Sequence, residues 1–155
     1  MACGEIVRMN GGDWFIWNLS GPVGLNCSNR VDDVELVRFG YKCWSKVTFG
    51  TKGNPPELQL FIEQMNYLGG YGDDLQYVID KHQSVRGGAI DRKISVAHPT
   101  QTNGAQYDLH HIWIMWGLSN AICKTAKDIW PRIDREIFIG PSIKETARKL
   151  FEFRW

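Results

Sequence analysis

Cys27-Ser28 and His98 are the residues of this chain that best fit nucleophile and base. A thiol near the positive end of a helix is drawn toward thiolate, and an imidazole can take its proton. The pair sets one expectation, thiol-nucleophile hydrolysis. The glycines that usually flank such a nucleophile are missing, and the next helical pattern starts several residues after Cys27. Metal chemistry has less to build on. His110-His111 are adjacent, so on a helix their side chains diverge by about 100°. The four cysteines show no CxxC spacing. Neither a metal nor a cofactor is implied. The carboxylate pairs Asp32-Asp33 and Asp73-Asp74 both fall at expected helix starts, where the helix dipole accounts for them. They do not form the facing pair that glycoside hydrolysis needs.

Aromatic residues offer a second kind of chemistry. The chain holds seven tryptophans, and amphipathic rings suit both saccharide C–H faces and protein interfaces. Trp44, Trp113 and Trp116 fall on helical apolar stripes, which is core spacing. Trp14 and Trp17 stand three apart in a strand-like run and so point to opposite faces. One of them is expected to face outward. Trp14 or Trp17, Tyr71 and Trp130 are the candidates for a surface contact.

The elements that must position these residues can be read from patterning. Glu5–Met9 and Trp14–Asn18 read as a hairpin around Asn10-Gly11-Gly12-Asp13. A first helix spans about Val31 to Trp44, with Asn29 as N-cap, Asp32 and Asp33 in its first turn, and Val34, Val37, Tyr41 and Trp44 on one face. Gly40 weakens its later half. Lys46–Phe49 reads as a strand. A second helix is expected from the Asn54-Pro55-x-Glu57 capping box, with Leu58, Phe61, Ile62 and Met65 inward and Gly69 ending it. A third begins near Asp73 and buries Leu75, Val78, Ile79 and His82. Lys93–Ala97 alternates as a strand. A long apolar helix, about Asp108 to Ile129, reads as central. A last helix starts at Ser142 with a box to Glu145 and turns Ile143, Ala147, Leu150 and Phe151 inward. The expected class is mainly α, an α+β chain with a short N-terminal hairpin.

Composition fits one domain over 1–155. Lys+Arg 18 against Asp+Glu 17 leaves +1, which argues against nucleic-acid binding by broad phosphate neutralisation. Hydrophobic content of 43% with 23% charge is that of a globular chain. The most apolar run, Ile112 to Trp116, is far shorter than the roughly 18 residues that span a bilayer, so no membrane insertion is expected. Met1–Glu5 lacks the basic and apolar regions of a Sec signal. Synthesis in the cytoplasm is the expectation, with any passage to the periplasm or cell envelope by a non-Sec route. Free thiols are expected, though a Cys27–Cys43 disulfide is possible by sequence.

One segment is more specific: Val23-Gly24-Leu25-Asn26-Cys27-Ser28-Asn29-Arg30-Val31-Asp32-Asp33-Val34-Glu35-Leu36-Val37. It resembles the opening of bacterial peptidoglycan-binding-like domains, where Val-Gly, a short loop, Asn-Arg-x-x-Asp-Val and Leu-Val introduce the first helix. Their second signature, Ile-x-x-Phe-Gln followed by Asp-Gly-Arg-Ile, is echoed by Ile79-Asp80-Lys81-His82-Gln83 and Asp91-Arg92-Lys93-Ile94. Arg38 stands where the family carries Gln, His82 where it carries Phe, and Arg92 where it carries Gly. The likeness covers about 19–98. Residues from about 105 to 155 resemble the helical extension of short stand-alone members.

The resemblance implies a compact helical domain that binds peptidoglycan or a muropeptide without catalysis, targeting or anchoring to the wall and linked to a contact-dependent secretion system. Its expected groove lies between the first helix and the Asp91-Arg92 loop. Asn29, Arg30, Gln83 and Arg92 are the polar contacts, with Trp17 and Tyr71 as aromatic ones. A protein–protein adaptor, immunity or loading factor for a cell-wall-targeting effector or secretion apparatus is the alternative. A papain-like cell-wall amidase using Cys27 and His98 is the third. Fold likeness alone does not decide among them.

Overall fold

The computed structural model describes residues 2–9, 12–47, 55–86, 90–97, 114–135 and 139–152. Strands β1 (Cys3–Met9) and β2 (Gly12–Asn18) form an antiparallel hairpin in register from Cys3↔Asn18 to Met9↔Gly12. A second, minimal sheet pairs β3 (Val23–Gly24) with β4 (Lys93–Ile94). The helices are α1 (Val31–Lys46), α2 (Pro56–Gln64), α3 (Asp73–Arg86), α4 (Ile114–Thr125) and α5 (Pro141–Glu152), with a 3₁₀ turn at Ile133–Arg135. The chain is thus a small helical α+β fold with a short N-terminal hairpin. One hydrophobic cluster runs from Ala2 to Phe151. No helix among the described residues is long and apolar enough to cross a membrane.

Helix α1 sits at the centre. Every residue from Asp32 to Tyr41 is buried, so its apolar surface is not a stripe but the whole circumference. It packs on α4, α5, α2 and β3. Gly40, which lowers helix propensity, is explained by this packing. A Cβ there would lie 2.8 Å from Leu118 Cβ of α4, so the two helices approach backbone to side chain. Met115, Leu118, Ala121 and Ile122 fill the far side of that contact. The amphipathic α5 closes the layer with Ile143, Ala147 and Phe151, spaced i, i+4.

A helix buried all round must satisfy its polar side chains internally. Asp32 accepts from Ala2 N–H (2.6 Å) and from the Thr146 hydroxyl (3.3 Å). Asp33 accepts from Ser20 N–H and Oγ (both 2.9 Å) and from Gly21 N–H (3.1 Å). Glu35 accepts from Ile143 N–H (2.7 Å) and caps the N-terminus of α5. Burial raises the pKa of both Asp33 and Glu35, with the donated N–H bonds pulling it back in part. Arg38, only 2% exposed, donates to Gly70 O from Nε (3.1 Å) and Nη2 (2.7 Å), to Asn66 O, and to both carboxylate oxygens of Asp74 (2.8 Å each). It therefore organises the whole α2–α3 connection. The paired guanidinium holds the Asp74 carboxyl down at about 2.

Several local expectations are corrected. Asn29 is not the N-cap of α1. Arg30 occupies that place with no side-chain cap bond, and Asp33 serves the 20–21 loop rather than the helix start. Helix α2 begins at Pro56 and ends at Gln64, short of Gly69. Asn54 of the expected capping box lies outside the described residues, and Phe61 is partly exposed rather than in the buried stripe. Lys46 ends α1 instead of opening a strand, and residues 48–54 lie outside the described set. The Lys93–Ala97 strand is reduced to β4. The expected long helix is described from Ile114 to Thr125, and a turn carries the chain to a cis Trp130–Pro131 bond. At α5, Glu145 pairs with Arg148 rather than forming a capping box, because the helix already begins at Pro141 and Glu35 takes the backbone N–H of Ser142 that the box would use.

Two predictions follow from α1. Gly40→Val drives side-chain atoms into Leu118 and should lower stability by about 1–3 kcal/mol in denaturant unfolding. An unchanged midpoint would mean that α1 and α4 are not in close approach. The folded pKa of Asp74 lies below its ordinary 3.8, so its contribution is full above about pH 4 and fades as pH falls toward 2. The stability gap between the parent and Asp74→Asn should shrink over that window, and a gap constant down to pH 2 contradicts the Arg38 pairing.

Candidate functional site

The segments that carry the sequence signatures meet at one corner of the molecule, the β3–β4 pair and its flanking loops. Gly24 opens the 24–29 loop with φ +142, and a Cβ there would lie 2.4 Å from Arg92 O. Only glycine allows this approach. Leu25 N–H donates to the same Arg92 carbonyl (3.1 Å). Asn29, at φ +46, closes the loop. Its Oδ1 accepts from Gly24 N–H (2.8 Å), and its Nδ2 donates to the carbonyls of Gly24 (2.9 Å) and Cys27 (3.3 Å).

Helix α3 holds the opposite strand through a polar stripe. Gln83 Nε2 donates to Asp91 Oδ1 (2.6 Å) and Lys93 O (2.9 Å), while its Oε1 accepts from Arg92 N–H (2.8 Å). Gln76 Nε2 donates to Arg92 O (3.1 Å) and Asp80 Oδ1 (2.6 Å), and its Oε1 accepts from the Tyr71 hydroxyl (2.6 Å). Arg92 reaches back over Asp80 through Nη2 (2.8 Å) and Nε (3.2 Å). Tyr71, Gln76, Asp80 and Arg92 thus form one hydrogen-bonded chain that ends at the surface. Arg92 holds φ +62, a left-handed conformation that costs a side-chain-bearing residue about 1–2 kcal/mol. It does so at the position where the resemblance has glycine. No protein-family model, curated protein or solved structure matches the chain.

The corner separates the expected contacts into two groups. Arg30 and Arg92 are exposed, and Tyr71 is half-buried with its hydroxyl engaged. Asn29 and Gln83 commit their amides to backbone groups of the loops they close. Trp17 is corrected. It is fully buried, donates from Nε1 to Pro131 O (3.1 Å), and packs edge-on against Phe15 and Phe151. The side chain of Trp14 lies outside the description. The Asp91-Arg92 loop is held against α3 and β3. A shallow depression of about 460 Å³ lies elsewhere, between the starts of α1 and α5, lined by Val31, Asp32, Pro141, Ser142, Glu145 and Thr146.

Cys27 stands on the same loop, half-exposed, with Asp91 and Lys93 close enough to act on it. Burial pushes its thiol up, with Lys93 opposing. Helix α1 starts only at Val31. These surroundings favour thiol over thiolate. His98, His110 and His111 lie outside the described residues. The cysteines are free, as expected, and Cys27 is not bridged to Cys43. His82 is buried and shares a hydrogen bond between Nδ1 and the Tyr41 hydroxyl (3.0 Å), with Trp44 against its ring. It is a core residue. Among the described residues no cluster of three or more His, Cys, Asp or Glu is arranged to hold a metal.

Sequence reasoning missed Gln76 and Asp80. Their i, i+4 spacing, continued by Gln83 at i+3, marks a polar stripe on α3 facing the loop. The apolar Leu75, Val78 and Ile79 dominate the sequence pattern there and mask that stripe. Arg92→Gly should keep or raise the melting temperature, since relief of the left-handed backbone offsets loss of an exposed, solvent-screened ion pair. Arg92→Ala keeps the strain and should melt lower than Arg92→Gly. Equal melting of the two variants contradicts the backbone assignment.

Proposed function

We propose that this protein is a non-catalytic peptidoglycan-binding domain whose contact surface is the β3–β4 corner. The observation that supports this reading is the convergence of the three matched segments. Residues 23–37, 79–83 and 91–94 are far apart in sequence, yet they interlock through Gly24, Asn29, Gln83 and Arg92. In this reading the amides of Asn29 and Gln83 fix the backbone, and Arg30, Arg92 and Tyr71 do the binding. Muropeptides carry carboxylates, which guanidinium groups recognise, and sugar C–H faces, which suit an aromatic ring. A preorganised corner loses little entropy on binding.

The test is co-sedimentation of the purified protein with isolated sacculi, at low and moderate salt, beside an inert domain of similar size. Saturable pelleting of the parent is expected, weakened about tenfold or more in Arg30→Ala/Arg92→Gly, a variant chosen to keep the fold. If the parent stays in the supernatant, or the double variant pellets as the parent does, the assignment of this surface is wrong.

A further inference from the structure

The start of α1 carries more negative charge than its surroundings balance. Asp32, Asp33 and Glu35 lie within one turn and all three are buried. The groups that bind them are neutral: the N–H groups of Ala2, Ser20, Gly21, Ser142 and Ile143, and the hydroxyls of Ser20 and Thr146. Among the described residues no Lys, Arg or His side chain pairs with any of the three. The amino-terminal charge is the least of the influences on Asp33. The starts of α1 and α5 bring about half a positive charge each, which leaves the three carboxylates in excess.

Asp32 is where this charge meets solvent. It is only 8% exposed, yet it lines the depression between the starts of α1 and α5. Both of its bonds, from Ala2 N–H and the Thr146 hydroxyl, fall on Oδ2. Its Oδ1 has no partner among the described residues. A buried carboxylate oxygen left unpaired is costly, and beside an opening it calls for a donor. Ser142 and Thr146 add hydroxyl oxygens to the same wall, while Val31 and Pro141 supply an apolar one. Glu145 at the rim is already held by Arg148 and Lys149. Arg30 does not fill the depression: its Cδ lies against Gly21, 3.8 Å from where a Cβ there would stand. The three carboxylates turn to different segments and are not arranged to hold a metal ion. A primary ammonium suits the place better, with three N–H donors on a compact head and methylenes behind it. We propose that this depression binds a primary alkylammonium group, its N–H groups donating to Asp32 Oδ1 and to the hydroxyl oxygens of Ser142 and Thr146, with its methylene stem on Val31 and Pro141. The site lies outside the β3–β4 corner and does not rest on wall binding.

The probes are pentylammonium chloride and lysine capped as its N-acetyl N-methylamide, each titrated into the full chain and followed by amide chemical shifts. Capped norleucine, which has the stem without the ammonium, and sodium chloride at equal ionic strength are the controls. Saturable shifts centred on Val31, Asp32, Ser142 and Thr146 are expected with the two ammonium compounds and with neither control. Equal affinity for the two would make a small amine a sufficient occupant, and tighter binding of the capped lysine would make it a polypeptide side chain. Asp32→Asn keeps an acceptor for Ala2 N–H but replaces the free charge, and should weaken binding about tenfold or more. Ser142→Ala removes one acceptor outside the buried set, so it tests the site even if Asp32→Asn disturbs the fold, and should weaken binding severalfold. Equal shifts with norleucine or sodium chloride, shifts centred on another face, or no saturable shift with either ammonium compound overturns the proposal. So does an affinity unmoved by both variants.

Discussion

The structure depends on the burial of α1. A helix whose Asp32–Tyr41 stretch has no solvent-facing side forces the charged residues there to find partners inside, and unpaired burial of each would cost several kcal/mol. Asp32, Asp33, Glu35 and Arg38 meet that demand by binding backbone groups of four different segments: Ala2, the 20–21 loop, the start of α5, and the α2–α3 connection. Each bond is modest alone. Together they tie the hairpin, the 20–24 loop, α3 and α5 to one rod, and so set where β3 and the start of α3 lie. The β3–β4 corner inherits its geometry from this arrangement.

The same logic separates scaffold from surface in the candidate site. Asn29 and Gln83 are polar and sit among the matched segments, but each spends its amide on closing a loop. What reaches solvent is the residue between them in the network, Arg92, together with Arg30 on the far end of the 24–29 loop. The strained backbone of Arg92 is consistent with a side chain kept at a place where glycine would be easier.

Much of the fold was legible in the sequence because it follows local rules. The starts of α1 and α3 come from first-turn carboxylates and apolar spacing, and the hairpin from its glycine turn. What local rules could not give was the all-round burial of α1. Asp32, Asp33 and Glu35 look like ordinary helix-start acids until the segments they bind, up to 108 residues away for Glu35 and Ile143, are in place. Trp17 shows the same limit: period-2 alternation says that Trp14 and Trp17 oppose each other, not which one α4 and the 130–131 turn will cover. The β3–β4 pair, two residues per strand and about 70 apart, has no periodicity to read.

We propose that the exposed residues of the β3–β4 corner, and not the loop-closing amides of Asn29 and Gln83, contact the cell wall. Amide chemical-shift mapping with soluble muropeptides tests it most directly. Shifts that saturate and centre on Arg30, Tyr71 and Arg92, with the core of α1 unmoved, are the predicted result. Saturating shifts that leave this corner untouched, or no shifts at concentrations where sacculi retain the protein, would contradict it.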